Sequence, residues 1–108
     1  MSRRYRVIFD EGAYTDLADI RSFVTAARHA AFAEAFVGEI VNYCESFRTI
    51  PHRGSQLIVE GVLLRTVGWR RTVTIAFQVN DELRNVFVLA VLYRGRDVHA
   101  ALSKRLKD

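Results

Sequence analysis

Residues 73–93 read VTIAFQVNDELRNVFVLAVLY, and this stretch decides the fold class. Over residues 73–79 every second side chain is apolar and the side chains between them are small or polar, which is the period of a strand with one buried face. Residues 80–85 are polar and turn-like, whereas residues 86–92 form a nearly unbroken apolar run, as in a strand covered on both faces. The stretch predicts two consecutive strands, of which the second is central in its sheet.

Two stretches nearer the N-terminus have the 3.6-residue apolar period of helices. The first helix begins at Ala13, and its apolar face holds Leu17, Ile20, Val24 and Ala27. Acids near its start suit the helix dipole, namely Asp10, Glu11 and Asp16. The second helix carries a stripe rich in phenylalanine, namely Phe32, Phe36, Ile40, Tyr43 and Phe47. Pro51, followed by Gly54, ends this helix and starts a loop, so the two helices are expected to form a hairpin.

Shorter elements flank this pair of helices. Residues 5–9 and residues 62–67 are rich in β-branched and large apolar types and predict two further strands. Asp97 is placed to cap a short C-terminal helix over residues 98–106. The predicted fold is therefore α+β in one domain over residues 1–108, in the order β, α, α, β, β, β and a terminal helix. The hairpin would pack its phenylalanine stripe on one face of a mainly antiparallel sheet and leave the other face to strand arginines.

The charge is distributed unevenly along the chain. Residues 1–64 carry seven arginines and eight acids, a net charge of −1, whereas residues 65–108 carry nine basic residues and four acids, a net charge of +5. Among the sixteen basic residues only Lys104 and Lys107 are lysines. Because guanidinium groups bind phosphate and carboxylate oxygens bidentately, the basic part indicates a polyanionic or acidic partner. A basic surface without a specific partner would have the same composition.

The single cysteine rules out a disulfide framework and suits a reducing compartment. Cys44 lies in an apolar helical pattern and is predicted to be a buried structural thiol. The N-terminal residues lack the apolar segment of a secretion signal, and no apolar stretch approaches the roughly 18 to 20 residues of a membrane-spanning helix, so we expect a cytoplasmic protein without membrane contacts. The histidines and Cys44 lack the spacing of metal ligands, so no metal or cofactor is expected.

Four short motifs connect these elements: Pro51-His52-Arg53-Gly54, Leu64-Arg65, residues 71–77, and residues 91–97, which read VLYRGRD. Together with the order of elements they resemble the ParE/RelE superfamily of toxins from bacterial type II toxin-antitoxin systems, over nearly the whole chain. The closing Arg-Gly-Arg-Asp is more similar to the ParE branch and to plasmid-stabilisation toxins. The resemblance implies a toxin that causes growth arrest until a cognate antitoxin masks it. ParE-like toxins inhibit DNA gyrase, whereas RelE-like toxins cleave mRNA on the ribosome without a metal.

Polar and aromatic side chains near the strand ends are the candidate functional residues. The candidates for binding the target or nucleic acid are Arg65, Arg71, Tyr93, Arg94 and Arg96. A ParE-like toxin needs no catalytic residue. A RelE-like ribonuclease must stabilise charge on the phosphoryl oxygens, which arginines can do, and must move a proton, for which His99 is suited. On that alternative the catalytic set is Arg65, Arg71, Arg96 and His99.

Each candidate also has a structural interpretation. His99 suits a solvated position, Tyr93 suits the rim of the core, and the arginines suit ion pairs with helix acids. The scarcity of lysine departs from RelE-like sites and favours the ParE-like interpretation. Three hypotheses therefore stand at this point: a toxin that inhibits DNA gyrase, a ribosome-dependent endoribonuclease, and an inert interaction module. Growth arrest on induction separates the third hypothesis from the first two.

Overall fold

The computed structural model describes residues 4–107, which form three α-helices and one five-stranded sheet. The elements are β1 (Arg6–Phe9), α1 (Glu11–Ala27), α2 (Ala30–Glu45), a 3₁₀ turn (Ser46–Arg48), β2 (Ser55–Val59), β3 (Val62–Trp69), β4 (Val73–Asn80), β5 (Asn85–Tyr93) and α3 (Val98–Lys107). The strand order is β1-β5-β4-β3-β2. β1 runs parallel to β5 and all other neighbours are antiparallel, so the predicted α+β fold with a mainly antiparallel sheet is confirmed.

One detail of the sheet corrects the sequence prediction. Ser55–Val59, expected to be part of a loop, form the edge strand β2. Glu60 and Gly61 both have positive φ (50° and 76°), the geometry of a tight turn that pairs β2 with β3 as a hairpin. Residues 86–92 lie inside the sheet, as predicted, because β5 pairs with β4 on one side and with β1 on the other.

β5 is covered on both faces, as its unbroken apolar run predicts: Val86, Val88 and Val91 face the helices α1 and α2, whereas Ala90 and Leu92 face the other side. The strand also contains a β-bulge. Ala76 pairs with Ala90 but Phe77 pairs with Val88, so Leu89 is an extra residue in the ladder. Because of this extra residue, Val88 and Val91 face the same side although they are three positions apart.

The hairpin of α1 and α2 covers one face of the sheet, which we call the helix-side face. From the predicted face of α1, Leu17, Ile20 and Val24 are buried there, whereas Ala27 is exposed. The phenylalanine stripe predicted for the second helix is wrong in part, because only Ile40 and Phe47 of it are fully buried. The buried face of α2 consists of Ala33, Val37, Ile40 and Cys44. Phe32 and Phe36 lie on the adjacent flank of α2, at the end of the sheet, where Phe36 contacts both Phe32 and Trp69.

The opposite face of the sheet is not open, contrary to the sequence prediction. It carries a second apolar cluster, in which Leu102 of α3 packs on strand residues: Val59, Leu64, Ala76, Ala90 and Leu92. The predicted cap of this helix is confirmed, since Ala100 N donates to Asp97 Oδ1 at 3.0 Å. α3 therefore covers the part of this face that these strand residues form, where the sequence analysis expected an open surface with arginines.

A buried ion pair fastens α3 to the rest of the molecule. Asp16 of α1 is 3% exposed, and its carboxylate accepts two hydrogen bonds from Arg105, at 2.8 and 2.5 Å. The same carboxylate accepts from Val91 N at 2.8 Å, and Arg105 Nη1 donates to Leu89 O at 3.0 Å. The hydrogen bonds with Asp16 raise the pKa of the Arg105 guanidinium. The sequence suggested that Asp16 interacts with the dipole of α1. Its carboxylate instead links α1 to the bulged part of β5 and to α3.

Cys44 is completely buried, as predicted, and burial raises the pKa of its thiol from an ordinary value of 9.0 to about 12. Above pH 9 the unfolded chain loses this proton while the folded protein keeps it, so stability should fall as pH rises from 9 toward 12, by up to about 1.4 kcal/mol per pH unit. Urea denaturation at pH 8.5 and pH 10 would measure this loss. The variant Cys44→Ala should lose about 1 kcal/mol less than the parent over this interval; equal losses would contradict the assignment.

Candidate functional site

Four of the predicted site residues meet at one end of the sheet. The pairings of Val73 with both Trp69 and Tyr93 bring the β3–β4 turn beside the segment between β5 and α3. Arg71 lies in that turn, and Arg94 and Arg96 lie in that segment next to Tyr93; the three arginines are exposed. Arg94 N donates to Thr72 O at 2.8 Å, which joins the two connections.

Arg65 and His99 do not belong to this group. Arg65 pairs with Phe77 in the middle of the sheet, where it lines a small cavity with His52, Gln56 and Asp81. Its Nη1 lies 3.4 Å from the carbonyl oxygen of Arg53. His99 is exposed in the first turn of α3. The four arginines named from the sequence therefore do not share one surface.

A group of aromatic side chains at the end of the sheet was missed by the sequence analysis. It consists of Phe23, Phe32, Phe36, Trp69 and Tyr93, which we call the aromatic cluster. Ring centroids lie 5.4 Å apart for Phe36 and Trp69, 5.5 Å for Phe23 and Tyr93, and 6.0 Å for Phe36 and Tyr93. Phe23 is 49% exposed and Phe32 36% exposed, whereas Trp69 is buried in the core, so the cluster extends from the core to the surface.

Three arginines lie on the rings of the aromatic cluster. The guanidinium carbon of Arg28 is 4.1 Å from the ring centroid of Phe32, and that of Arg70 is 4.5 Å from Trp69. Arg94 lies 5.2 Å from Tyr93 and 5.4 Å from the ring of Phe23. Such cation–π contacts hold a charged group over an apolar surface and leave its in-plane N–H groups able to bond. Arg70 already uses one of these groups, since its Nη1 lies 2.6 Å from Glu39 Oε1. The sequence signal for two of these contacts is an arginine directly after an aromatic residue, at positions 69–70 and 93–94.

The backbone of the two connections is unusual for arginine. Arg70, Arg71 and Arg94 have φ values of 49°, 60° and 54°. This left-handed region costs a residue with a Cβ about 1 kcal/mol relative to ordinary conformations, and glycine or asparagine would adopt it more easily. Glu60 and Arg84 adopt it in other turns of this chain, so the geometry belongs to tight turns in general. Its effect here is to project arginine side chains outward at one end of the sheet.

A groove of about 250 Å³ runs between α1 and β5 beside the aromatic cluster. Its walls are formed by Ile20 and Phe23 of α1 and by Val91 and Tyr93 of β5, and Arg94 stands at its rim. Arg96 and the acids Asp16 and Asp19 complete the lining. A second cavity of about 210 Å³, which includes Arg28, Phe32 and Phe36, lies on the other side of Arg94. The end of the sheet thus offers apolar recesses bordered by guanidinium groups.

A hydrogen-bonded trio lies near Arg65, in a different part of the sheet. Tyr5 Oη donates to Asp81 at 2.6 Å, and His52 Nε2 lies 2.8 Å from the same carboxylate oxygen. The hydrogen bond from Tyr5 is the largest cause of a lowered pKa at Asp81, and it raises the pKa of Tyr5 in turn. The trio joins the start of β1, the loop after Pro51 and the β4–β5 turn. An oriented imidazole is therefore present, but away from the aromatic cluster.

Over residues 4–107 no group of three or more histidine, cysteine, aspartate or glutamate side chains is arranged to hold a metal ion. In the same part of the chain, none of the helices combines the length and the apolar character that crossing a bilayer requires.

The arrangement at the aromatic cluster is suited to binding an anionic or acidic partner through arginines and exposed rings.

Comparison with known proteins gave matches at the level of structure only. No protein-family model matches the chain, and no curated protein matches it by sequence. A chain of the chromosomal ParDE toxin-antitoxin system of P. aeruginosa is similar with a TM-score of 0.71 at 18% identity, covering 84% of this chain and 97% of that one. A chain of the RelBE2 toxin-antitoxin complex of Mycobacterium tuberculosis gives a TM-score of 0.63 at 19% identity, covering 89% and 98%. This chain thus shares the fold of these two chains from toxin-antitoxin systems, and of the two the ParDE chain has the higher TM-score.

Proposed function

We propose that this chain is the toxin of a type II toxin-antitoxin pair, that it acts in the cytoplasm by binding DNA gyrase, and that a cognate antitoxin neutralises it. The observation that supports this proposal is the aromatic cluster with the guanidinium groups of Arg28, Arg70 and Arg94 over its rings. Exposed aromatic residues and arginines are the residue types that contribute most to protein interfaces. The structures similar to this chain come from toxin-antitoxin systems, which supports the pairing with an antitoxin.

The composition of the site favours binding over catalysis. Guanidinium groups stay protonated at neutral pH and cannot act as general bases. A ribonuclease would need an oriented base close to these arginines. The imidazole that the structure holds against a carboxylate is His52, which lies with Arg65 and not with Arg94. His99 is exposed on α3, and we infer no catalytic role for it.

Induction of the chain in growing bacteria, followed by assays on purified gyrase, tests the proposal. We expect growth arrest, loss of DNA supercoiling and accumulation of cleaved DNA bound to gyrase. Arg94→Ala should raise the toxin concentration needed for half-inhibition about tenfold, the effect of losing one well-placed interface residue. Arg48→Ala is the matched control and should behave as the parent. Arg48 is an exposed residue of the 3₁₀ turn, where it pairs with Glu45 at the end of α2, away from the aromatic cluster.

The same assays separate the competing hypotheses. Continued growth after induction of folded protein would indicate an inert interaction module. Growth arrest with active gyrase and cleaved ribosome-bound mRNA would identify an endoribonuclease. In that case, His99→Ala and Arg96→Ala would show whether the residues named from the sequence carry the reaction.

A further inference from the structure

β2 is the last strand of the sheet in the described part of the chain, so one side of its backbone has no partner strand. A two-residue turn joins β2 to β3, and the pair that closes such a turn, here Val59 and Val62, is hydrogen-bonded. Because bonded pairs alternate along an antiparallel ladder, the backbone groups of Leu57 face β3, whereas those of Gln56 and Ile58 point away from the sheet. The free edge therefore offers two donors and two acceptors.

Nothing in the sequence of β2 protects this edge. Natural edge strands usually carry charged side chains, a proline or a bulge, which prevent pairing with another molecule. Residues 55–59 read SQLIV, without a charge or a proline, and they pair with β3 in an uninterrupted register. Ile58 is 65% exposed and its cross-strand neighbour Leu63 is 52% exposed. Since Leu57 and Val59 face the α3 side, Ile58 and Leu63 form an uncovered apolar pair on the helix-side face.

Two copies of this edge fit each other in one antiparallel register. Around a two-fold axis at Leu57, Gln56 of each copy lies opposite Ile58 of the other, and each such pair exchanges two hydrogen bonds. All outward backbone groups of both strands are then satisfied. A shift by two residues would instead place Ile58 opposite Gly54, or Gln56 opposite Glu60, and these two residues leave the extended conformation with φ values of 79° and 50°.

The same register joins apolar side chains across the junction. Ile58 and the Ile58 of the second copy become diagonal neighbours, roughly 7 to 8 Å apart. With Leu63 beside each of them, four apolar side chains form one stripe on the helix-side face. On the α3 side, the half-buried Leu57 lies directly opposite its own counterpart. The contact is smaller than the roughly 1,200 to 2,000 Å² of a standard stable interface, so the expected dissociation constant is on the order of 10 to 100 µM.

We propose that the free edge of β2 binds a second copy of this chain, which joins two five-stranded sheets into one continuous sheet with a two-fold axis at Leu57. The aromatic cluster and its arginines lie outside β2, so each copy keeps its own cluster and the dimer presents two. This inference rests on the edge of β2 alone and does not depend on the proposed function.

Sedimentation equilibrium of the full chain measures the dimer directly. The mass should rise from 12.4 kDa toward twice that value between about 1 and about 500 µM. Ile58→Lys places two like charges at diagonal positions and should weaken dimerisation at least about tenfold, while the exposed position keeps the monomer folded. Leu83→Lys is the matched control, because Leu83 is 68% exposed in the β4–β5 turn and the same change of charge there should leave dimerisation unaltered.

Cysteine cross-linking tests the register. Leu57→Cys places two thiols opposite each other at a pair without hydrogen bonds, where Cα atoms lie about 4.5 Å apart, so oxidised glutathione should link the two copies. In Ser55→Cys the two thiols lie four residues apart along the strands, roughly 13 Å, and should not react with each other. The buried Cys44 is out of reach in both variants.

Three results would each overturn the inference. They are a mass that stays at one chain up to about 500 µM, dimerisation of Ile58→Lys as strong as that of Leu83→Lys, and equal cross-linking of the two cysteine variants. Growth arrest on induction is scored separately, so failure of this inference is distinguishable from failure of the toxin assignment.

Discussion

Replacing Arg105 with methionine is expected to lower the free energy of unfolding by about 3 to 5 kcal/mol, because it leaves a buried carboxylate without its cation. Asp16 is 3% exposed and receives two of its three hydrogen bonds from Arg105. Methionine preserves much of the length and apolar contact of the arginine stem, so the change isolates the charge. Guanidinium chloride denaturation, followed by the fluorescence of Trp69 and by circular dichroism, measures the effect.

Lys107→Met is the matched control for this experiment. Lys107 is 65% exposed and lies 4.0 Å from Glu60, so removing its charge should change stability by less than about 0.5 kcal/mol. In the double variant Asp16→Leu with Arg105→Met, part of the lost stability should return, since neither charge is then left buried alone. If Arg105→Met cost as little as Lys107→Met, the ion pair would not be what holds α3 in place.

Phe47→Ala is the second substitution with a large expected effect, a loss of about 3 to 5 kcal/mol. The Phe47 side chain is completely buried and stacks on Phe77 with ring centroids 4.4 Å apart. Removing it leaves a cavity between the end of α2 and the centre of β4, where the packed neighbours cannot fully collapse. Thermal and urea denaturation of the purified variant would give the change in stability.

Phe23→Ala serves as a control with the same chemistry at an exposed position. Phe23 is 49% exposed in the aromatic cluster, so its truncation should cost about 1 kcal/mol or less and leave the fold intact. The contrast tests the division of the aromatic residues into a core member and surface members. Equal losses for the two variants would show that Phe23 contributes to the core as much as Phe47 does.

The periodicity of the sequence predicts the fold well where one buried face dominates an element. Leu17, Ile20 and Val24 mark α1, and the alternation over residues 73–79 marks β4, because each has a single packing surface. β2 was missed because Ile58 is apolar although it is 65% exposed, which hides the alternation of Leu57 and Val59 on the buried face. The two faces of β5 could not be separated because both are covered and apolar.

The candidate site was predictable only in part. Arg71 and Arg94 come together because consecutive antiparallel strands place alternate connections at the same end of a sheet. Arg65 was expected to join them, but that expectation needed the register of β3 against β4, which the sequence does not fix. Phe32 and Phe36 have helical spacing and looked like core residues. Ala33 and Val37 lie on the adjacent face of α2 and are also apolar, and in the structure it is this face that is buried. The sequence does not show which of two neighbouring apolar faces of a helix packs against the sheet.

The tie between Asp16 and Arg105 joins positions 89 apart in the chain. Since a ribosome makes the N-terminal part first, the carboxylate emerges long before the guanidinium that neutralises it. Until Arg105 has been synthesised, the carbonyl oxygen of Leu89 lacks its hydrogen-bond donor. The second apolar cluster also stays exposed to water, because Leu102 of α3 does not yet cover it. We therefore expect α3 to dock late during synthesis, and a nascent chain arrested before Arg105 would present a longer unpaired strand edge than the finished protein does.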